Sequence, residues 1–376
     1  MAEPFKNLLN QHVVADMAGH FSRHYEAFDR PAFVAAANKG LESLELKART
    51  EHITQAMILY LPRDFTHAGQ ILLASLPALQ DESPSSGSPE SAGISGWAIM
   101  TLSHYVALQG QEHFDFSMML LKEMTKRLSS EFAIRFFILQ SAQNTLAIFA
   151  KWVSDPDQDV RRLVSEGSRP RLPWAMQLPM FIADPAPVIA LLEQLKDDDE
   201  EYVRRSVANN LNDIAKDHPE LVADIAEQWL KDASKNRQRL VRHACRTLIK
   251  NGHKRTLAAL GFVPPIIASA KVSVLTKHVI FGEALQFSLA LTSNTDTTQA
   301  LMIDYIVHHQ KANGKTTGKV FKWRNSNLTP STILTIEKKH AIKAITTRVY
   351  YAGLHSVEVI VNGISVGRAD FELIMP

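Results

Sequence analysis

VRRLV at residues 160–164, VRRSV at 203–207 and VRHAC at 241–245 are three versions of one segment, spaced 43 and 38 residues apart. The first two each follow an acidic turn, DPDQD and KDDDEE. A period near 40 residues with paired helices fits HEAT-type units, each too small to bury its own apolar face and stable only when stacked. In the first unit Asp155 is placed to cap the helix, Pro156 suits its first turn and Gly167 its end. That helix should bury Val160, Leu163 and Val164, while Arg162 and Glu166, one turn apart, share its other face.

Helical periodicity extends outward from these repeats. Upstream, AFVAAANKGLESL and ITQAMILYL carry apolar residues at three- and four-residue steps, with turn signals at Asp29-Arg30-Pro31 and Pro62-Arg63-Asp64. The Ser-, Pro- and Gly-rich stretch at 81–96, DESPSSGSPESAGISG, reads as a flexible loop, and helix resumes at Trp97 and runs to about Lys254. After Pro264-Pro265 the period becomes two: ALQFSLALTS, ALMIDYIVHH, STILTIEKK, HSVEVIVNG and ISVGRADFELI are strand-like, and Asn362-Gly363 is a strong hairpin turn. Strand number and spacing point to an immunoglobulin- or fibronectin-type sandwich, without a Cys-Trp-Cys pattern. The expected fold is mainly α: a HEAT-like α-helical solenoid over 1–264, then an immunoglobulin-like β-sandwich over 265–376.

Composition narrows the class further. With 376 residues, 45% of them hydrophobic and 21% charged, the chain is an ordinary globular protein rather than a disordered or membrane one. The longest weakly polar stretch, Ala258–Ala270, is too short for a span, and the N-terminus carries no secretory pattern. The lone cysteine, Cys245, excludes an internal disulfide, reads as a small core residue rather than a nucleophile, and suits a cytoplasmic location. The net charge of +2 hides a split. From Pro265 onward there are 12 Lys and Arg against 7 Asp and Glu, a net +5, which leaves −3 for the rest.

The densest polar segment is VRRLVSEGSRPRLPW at 160–174. With SSEFAIRFF at 129–137, SHYVALQG at 103–110, VRRSVANNLNDIAKDHP at 203–219 and the C-terminal sandwich, it strongly resembles the AlkC-type alkylpurine DNA glycosylases, relatives of the AlkD type. The resemblance covers nearly the whole chain. It implies a bacterial base-excision repair enzyme, a monofunctional hydrolase that removes cationic N3-methylated bases, 3-methyladenine and 3-methylcytosine, and leaves an abasic site. The glycosidic bond to such a base is already weakened and the leaving group needs no proton, so the remaining tasks are to stabilise an oxocarbenium-like sugar and to position water, both served by carboxylates. The family's active-site carboxylates correspond to Glu131, Glu166 and Asp213, with Trp174 as the aromatic that attracts the cationic lesion. Each also has a plainer reading. Glu131 suits a first-turn acid paired with Arg135, Asp213 a solvated stripe with Arg205 and Asn209, and Trp174 a core position.

Arg161, Arg162, Arg204, Arg205 and Arg242 fall at equivalent repeat positions, and Arg169 and Arg171 lie in the motif itself. Stacked repeats would set such residues side by side as a track for the phosphates of double-stranded DNA, unless they pair with neighbouring acidic turns. The basic run Lys311, Lys315, Lys319, Lys322 and Arg324 offers a second DNA-contacting surface. Whether the lesion is extruded or, as the resemblance implies, approached inside the duplex is not written in the sequence. No cofactor is called for. His20 and His24 lack the companions of a metal site, and NGKTTGK at 313–319 reads as a hairpin turn rather than a phosphate loop. The expected state is a monomer. The competing class is a non-catalytic HEAT scaffold that binds DNA or protein, in which Glu166 and Asp213 merely orient arginines.

Overall fold

The computed structural model describes residues 4–78 and 93–376, so the loop expected at 81–96 lies, up to residue 92, outside the described residues. Two compact units divide the chain, Met1–Asp217 and His218–Pro376.

The first unit holds α1 (Gln11–His24), α2 (Arg30–Asn38), α3 (Leu46–Tyr60), α4 (Phe65–Ala74), α5 (Ile99–Gln109), α6 (Phe114–Thr125), α7 (Ile134–Gln140), α8 (Ala142–Trp152), α9 (Gln158–Gly167), α10 (Pro179–Ala183), α11 (Ala186–Leu195) and α12 (Glu201–Ile214). As expected, α9 buries Val160, Leu163 and Val164. Its cap differs from the expected one. Asp157 accepts hydrogen bonds from the backbone N–H groups of Asp159 (2.8 Å) and Val160 (3.3 Å), whereas Asp155 accepts from Asp157 N and forms an ion pair with Lys122 of α6. A distant lysine thus engages the first aspartate and leaves capping to the second. Gly167 closes the helix for a packing reason: a Cβ there would stand 2.6 Å from Ile134 Cγ2 of α7. The main packing partner of α9 is α12, whose buried face carries Val203, Val207 and Leu211 among polar residues.

The second unit begins with α13 (Pro219–Trp229), α14 (Lys235–Ala244), α15 (Arg246–Lys250) and α16 (Lys254–Ala259). The eight strands follow: β1 (Ile267–Val274), β2 (His278–Ile280), β3 (Ala284–Ser293), β4 (Gln299–Gln310), β5 (Thr316–Leu328), β6 (Ile333–Ala341), β7 (Gly353–Val361) and β8 (Ile364–Ile374). They form a three-stranded sheet, β1-β3-β6, and a five-stranded one, β2-β8-β7-β4-β5. The strict alternation of β3 sends Leu285, Phe287, Leu289 and Leu291 into the core, where they meet Leu301, Ile303, Tyr305 and Val307 of β4 and Val357, Val359 and Val361 of β7. Asn362 and Gly363, both with positive φ (49° and 80°), join β7 to β8 in the two-residue hairpin that their sequence demands. NGKTTGK likewise spans the β4–β5 turn, closed by Lys311 N donating to Lys315 O. Leu257 and Phe262 pack on Met302, and Asn362 Nδ2 donates to Val263 O (2.7 Å), so the last helices and the sandwich share one unit.

Candidate active site

Two serines set the spacing of α9 and α12: Ser206 Oγ lies 3.0 Å from Ser165 Oγ. Asn210 Nδ2, one turn further along α12, donates to Ser165 O (2.8 Å) and Ser168 Oγ (3.2 Å) and ties off the end of α9. Along this polar seam three acidic and two basic side chains alternate. Glu131, just before α7, accepts from Arg162 Nη1 at 2.9 Å. Arg162 Nη2 reaches within 3.7 Å of Glu166 Oε1, which also accepts from Arg169 Nη1 at 2.6 Å. Arg169 Nε in turn donates to Asp213 Oδ2 (2.8 Å), and Lys216 Nζ occupies Asp213 Oδ1 (2.9 Å). Burial works against the charge on Arg162, but Glu131 and Glu166 outweigh it and raise its pKa. On Arg169, Glu166 and Asp213 overcome burial in the same way.

The three predicted carboxylates therefore share one network, but not one environment. Glu166 is 5% exposed and Asp213 2%. Glu166 Oε2 accepts from Ser206 Oγ at 2.6 Å, so neither oxygen of Glu166 or of Asp213 is without a partner. Glu131 differs: among the described residues only Oε2 is engaged, and its side chain lines a cavity of about 390 Å³ walled by Trp97, Phe132, Asp159, Arg162 and Tyr202. The Arg162 guanidinium lies 4.7 Å from the centre of the Tyr202 ring. Trp174 is no core residue. It is 63% exposed, holds a positive φ of 65°, and its carbonyl accepts from Lys47 Nζ (2.8 Å).

The Glu131–Arg135 pair that the sequence offers does not form. Arg135 instead points into the segment after α9. Asp213 is likewise not on a solvated stripe with Arg205 and Asn209. It stands with Ser206 and Asn210, steps of four and three that place it toward α9.

Of the arginines read as phosphate contacts, Arg162 and Arg169 belong to the network above. Arg161 forms a bidentate pair with Asp198 (2.6 and 3.0 Å) and also donates to Asp155 O (2.8 Å). Arg171 is paired bidentately with Asp217, both bonds 2.8 Å. Arg204 donates to the carbonyls of Asp198 and Asp199, and Arg205 to Glu201 at the surface. Arg242, in the second unit, is exposed and lies over the Phe262 ring at 5.5 Å. Sequence reasoning missed Ser165, Ser206, Asn210 and Tyr202. The one available signal was the step pattern 206, 210, 213, which runs beside the stripe that was read.

Residues 268–375 match the family model described as the C-terminal Ig-like domain of the uncharacterised protein YhaZ. The protein YhaZ of Bacillus subtilis (strain 168) is 33% identical over 370 residues, 98% of this chain and 99% of that protein. The solved structure of Pseudomonas fluorescens alkylpurine DNA glycosylase AlkC, bound to DNA containing an abasic site analog, is 36% identical. It superposes with a TM-score of 0.86, covering 99% of this chain and 100% of that one. By fold and by full-length identity, the chain belongs to the family of AlkC and YhaZ.

Proposed function

We propose that the chain is a monofunctional DNA glycosylase that hydrolyses the N-glycosidic bond of 3-methyladenine and 3-methylcytosine in duplex DNA and leaves an abasic site. The full-length likeness to a glycosylase supports the reaction class. The observation that carries the assignment is Glu131, whose Oε1 accepts no hydrogen bond among the described residues while its side chain borders a cavity with aromatic walls. A base methylated at N3 is a cation and needs no proton to leave. The carboxylate of Glu131 stabilises the positive sugar and orients the attacking water. Glu166 and Asp213, with every oxygen engaged, act by holding Arg162 and Arg169. The exposed Trp174 ring attracts the cationic lesion, worth about 0.5–2 kcal/mol. In this reading the helices of residues 160–245 act as HEAT-like units, the sandwich adds DNA contact, and the protein works as a cytoplasmic monomer.

Glu131→Gln tests the assignment. Single-turnover release of methylated base from methylated duplex DNA should fall about a hundredfold or more, the scale of one preorganised electrostatic group, with DNA affinity within about twofold. Unchanged release removes Glu131 from the chemistry. A second reading, a DNA-binding scaffold without chemistry, draws on the saturation of Glu166 and Asp213. It predicts that the wild-type chain binds methylated DNA and releases no base.

A further inference from the structure

Arg135 is buried completely, yet among the described residues it forms no ion pair with any of the acidic groups around it. Its guanidinium is spent on backbone: Nη1 donates to Gly167 O (2.9 Å) and Arg169 O (2.8 Å), and Nε donates to Met176 O (2.8 Å). Nη2 is buried without a hydrogen-bond partner among the described residues. Burial, with Arg169 adding repulsion, pulls its pKa down to about 10. The three carbonyls belong to the end of α9 and to the irregular chain that follows, a stretch with no helical ladder of its own to satisfy them. That stretch bears Arg169, which holds Glu166 and Asp213, and Trp174, held at a positive φ. On the far side, the exposed Lys47 donates to the Trp174 carbonyl.

We propose that Arg135 is a positioning residue for the glycosylase site: its planar fork straps the segment 167–176 into the one path that keeps Arg169 on Glu166 and Asp213 and presents Trp174 to the lesion. The inference rests on the function proposed above. A lysine cannot replace it, because a single ammonium lacks the fixed fork that reaches three carbonyls at once. Loss of the strap shifts Arg169 and Trp174 without removing either, and a displacement of about 1 Å costs on the order of a hundredfold in rate.

The test uses the full chain and the variants Arg135→Ala, Arg135→Lys and Lys47→Met. Three quantities are measured: thermal unfolding, single-turnover base release with enzyme in excess, and amide hydrogen exchange of residues 168–178 without DNA. Arg135→Ala and Arg135→Lys should each release base about a hundredfold more slowly, bind DNA within about twofold of wild type, and exchange faster in that segment. Methylguanidinium at millimolar concentration should restore Arg135→Ala at least tenfold and leave Arg135→Lys slow, a response that simple destabilisation does not give. Wild-type release by folded Arg135→Ala, or slow release that methylguanidinium does not relieve, overturns the proposal. If neither Arg135 variant folds, Lys47→Met decides: several-fold slower release with faster exchange supports the strap, and wild-type behaviour in both overturns it. If the wild-type chain releases no base, the glycosylase reading fails by itself. The exchange measurement then stands alone, and an unchanged segment in Arg135→Ala sinks the strap as well.

Discussion

Glu131 and Glu166 are both acids in one arginine network, but substitution should separate them. Glu131 is half-buried and, among the described residues, pairs with Arg162 alone. Under the proposed function its change to Gln should slow base release and leave the fold nearly untouched. Glu166 is tied to Arg169, Arg162 and Ser206 inside the α9–α12 seam. We expect Glu166→Gln to slow base release and also to lower the unfolding midpoint, because buried Arg169 then keeps only Asp213 and Arg162 only Glu131 as counter-charge, a loss of about 1–3 kcal/mol. Ser206→Ala isolates part of that effect: it removes the donor to Glu166 Oε2, together with the contact to Ser165 Oγ, and should cost about 1–3 kcal/mol in urea unfolding. A midpoint unmoved by Ser206→Ala would mean that water satisfies the carboxylate. That Glu131 and Glu166 belong together was legible in the motifs VRRLVSEGSRPRLPW and SSEFAIRFF, and Arg162 joins them. Which carboxylate keeps an open oxygen was not, because Arg162, Ser206 and Arg169 decide that from other parts of the chain. The stripe through Asp213 was misread by one residue, and one residue on a helix is a rotation of about 100°.

At the level of elements, the repeat VRRLV/VRRSV and the change of period after Pro264-Pro265 located the helices and strands, and the hairpin at Asn362-Gly363 followed from turn chemistry alone. Pairwise packing was not legible, since an apolar stripe shows that a partner exists without naming it. Gly167 illustrates this: read as a helix end, it is also where α9 meets Ile134 of α7. Gly167→Ala should therefore destabilise by about 1–3 kcal/mol through overpacking, and adding Ile134→Ala should recover part of the loss in the double mutant. Additive losses in that cycle would place the strain elsewhere. On β4, His309 has both ring nitrogens buried without partners, and burial, with Arg348 and His355 adding repulsion, drives its pKa down to about 3. The unfolded chain protonates near pH 6.5 while the folded imidazole stays neutral. The sandwich is thus fully stable above that pH and loses about 1.4 kcal/mol per pH unit below it, toward about pH 3. His309→Phe should flatten this acid limb in denaturant titrations followed by sandwich fluorescence. An unchanged slope would assign the sensitivity to His340, lowered to about 4 by burial and by Arg348, or to His355.

For the molecule as a whole, the division at Asp217 sharpens the charge asymmetry that the sequence only hinted at. Met1–Asp217 carries 20 Lys and Arg against 28 Asp and Glu, a net −8. His218–Pro376 carries 21 against 11, a net +10. A DNA backbone releases counterions only to cations that are free to neutralise it, and log K then falls with log salt by about 0.9 for each phosphate contact. In the first unit Arg161 and Arg171 are held bidentately by Asp198 and Asp217, and Arg204 is capped by two carbonyls. In the second, the exposed Arg242, Lys250 and Lys322 line one cavity of about 300 Å³. We therefore expect Arg242→Ala and Lys250→Ala each to flatten the salt dependence of DNA affinity by about one phosphate while leaving single-turnover release at saturating enzyme unchanged. Arg161→Ala should leave the slope alone and lower stability instead, because Asp198 loses its counter-charge in a buried setting. The opposite pattern, a flattened slope for Arg161→Ala and none for Arg242→Ala, would show that the first unit's arginines exchange their carboxylates for phosphates when DNA arrives.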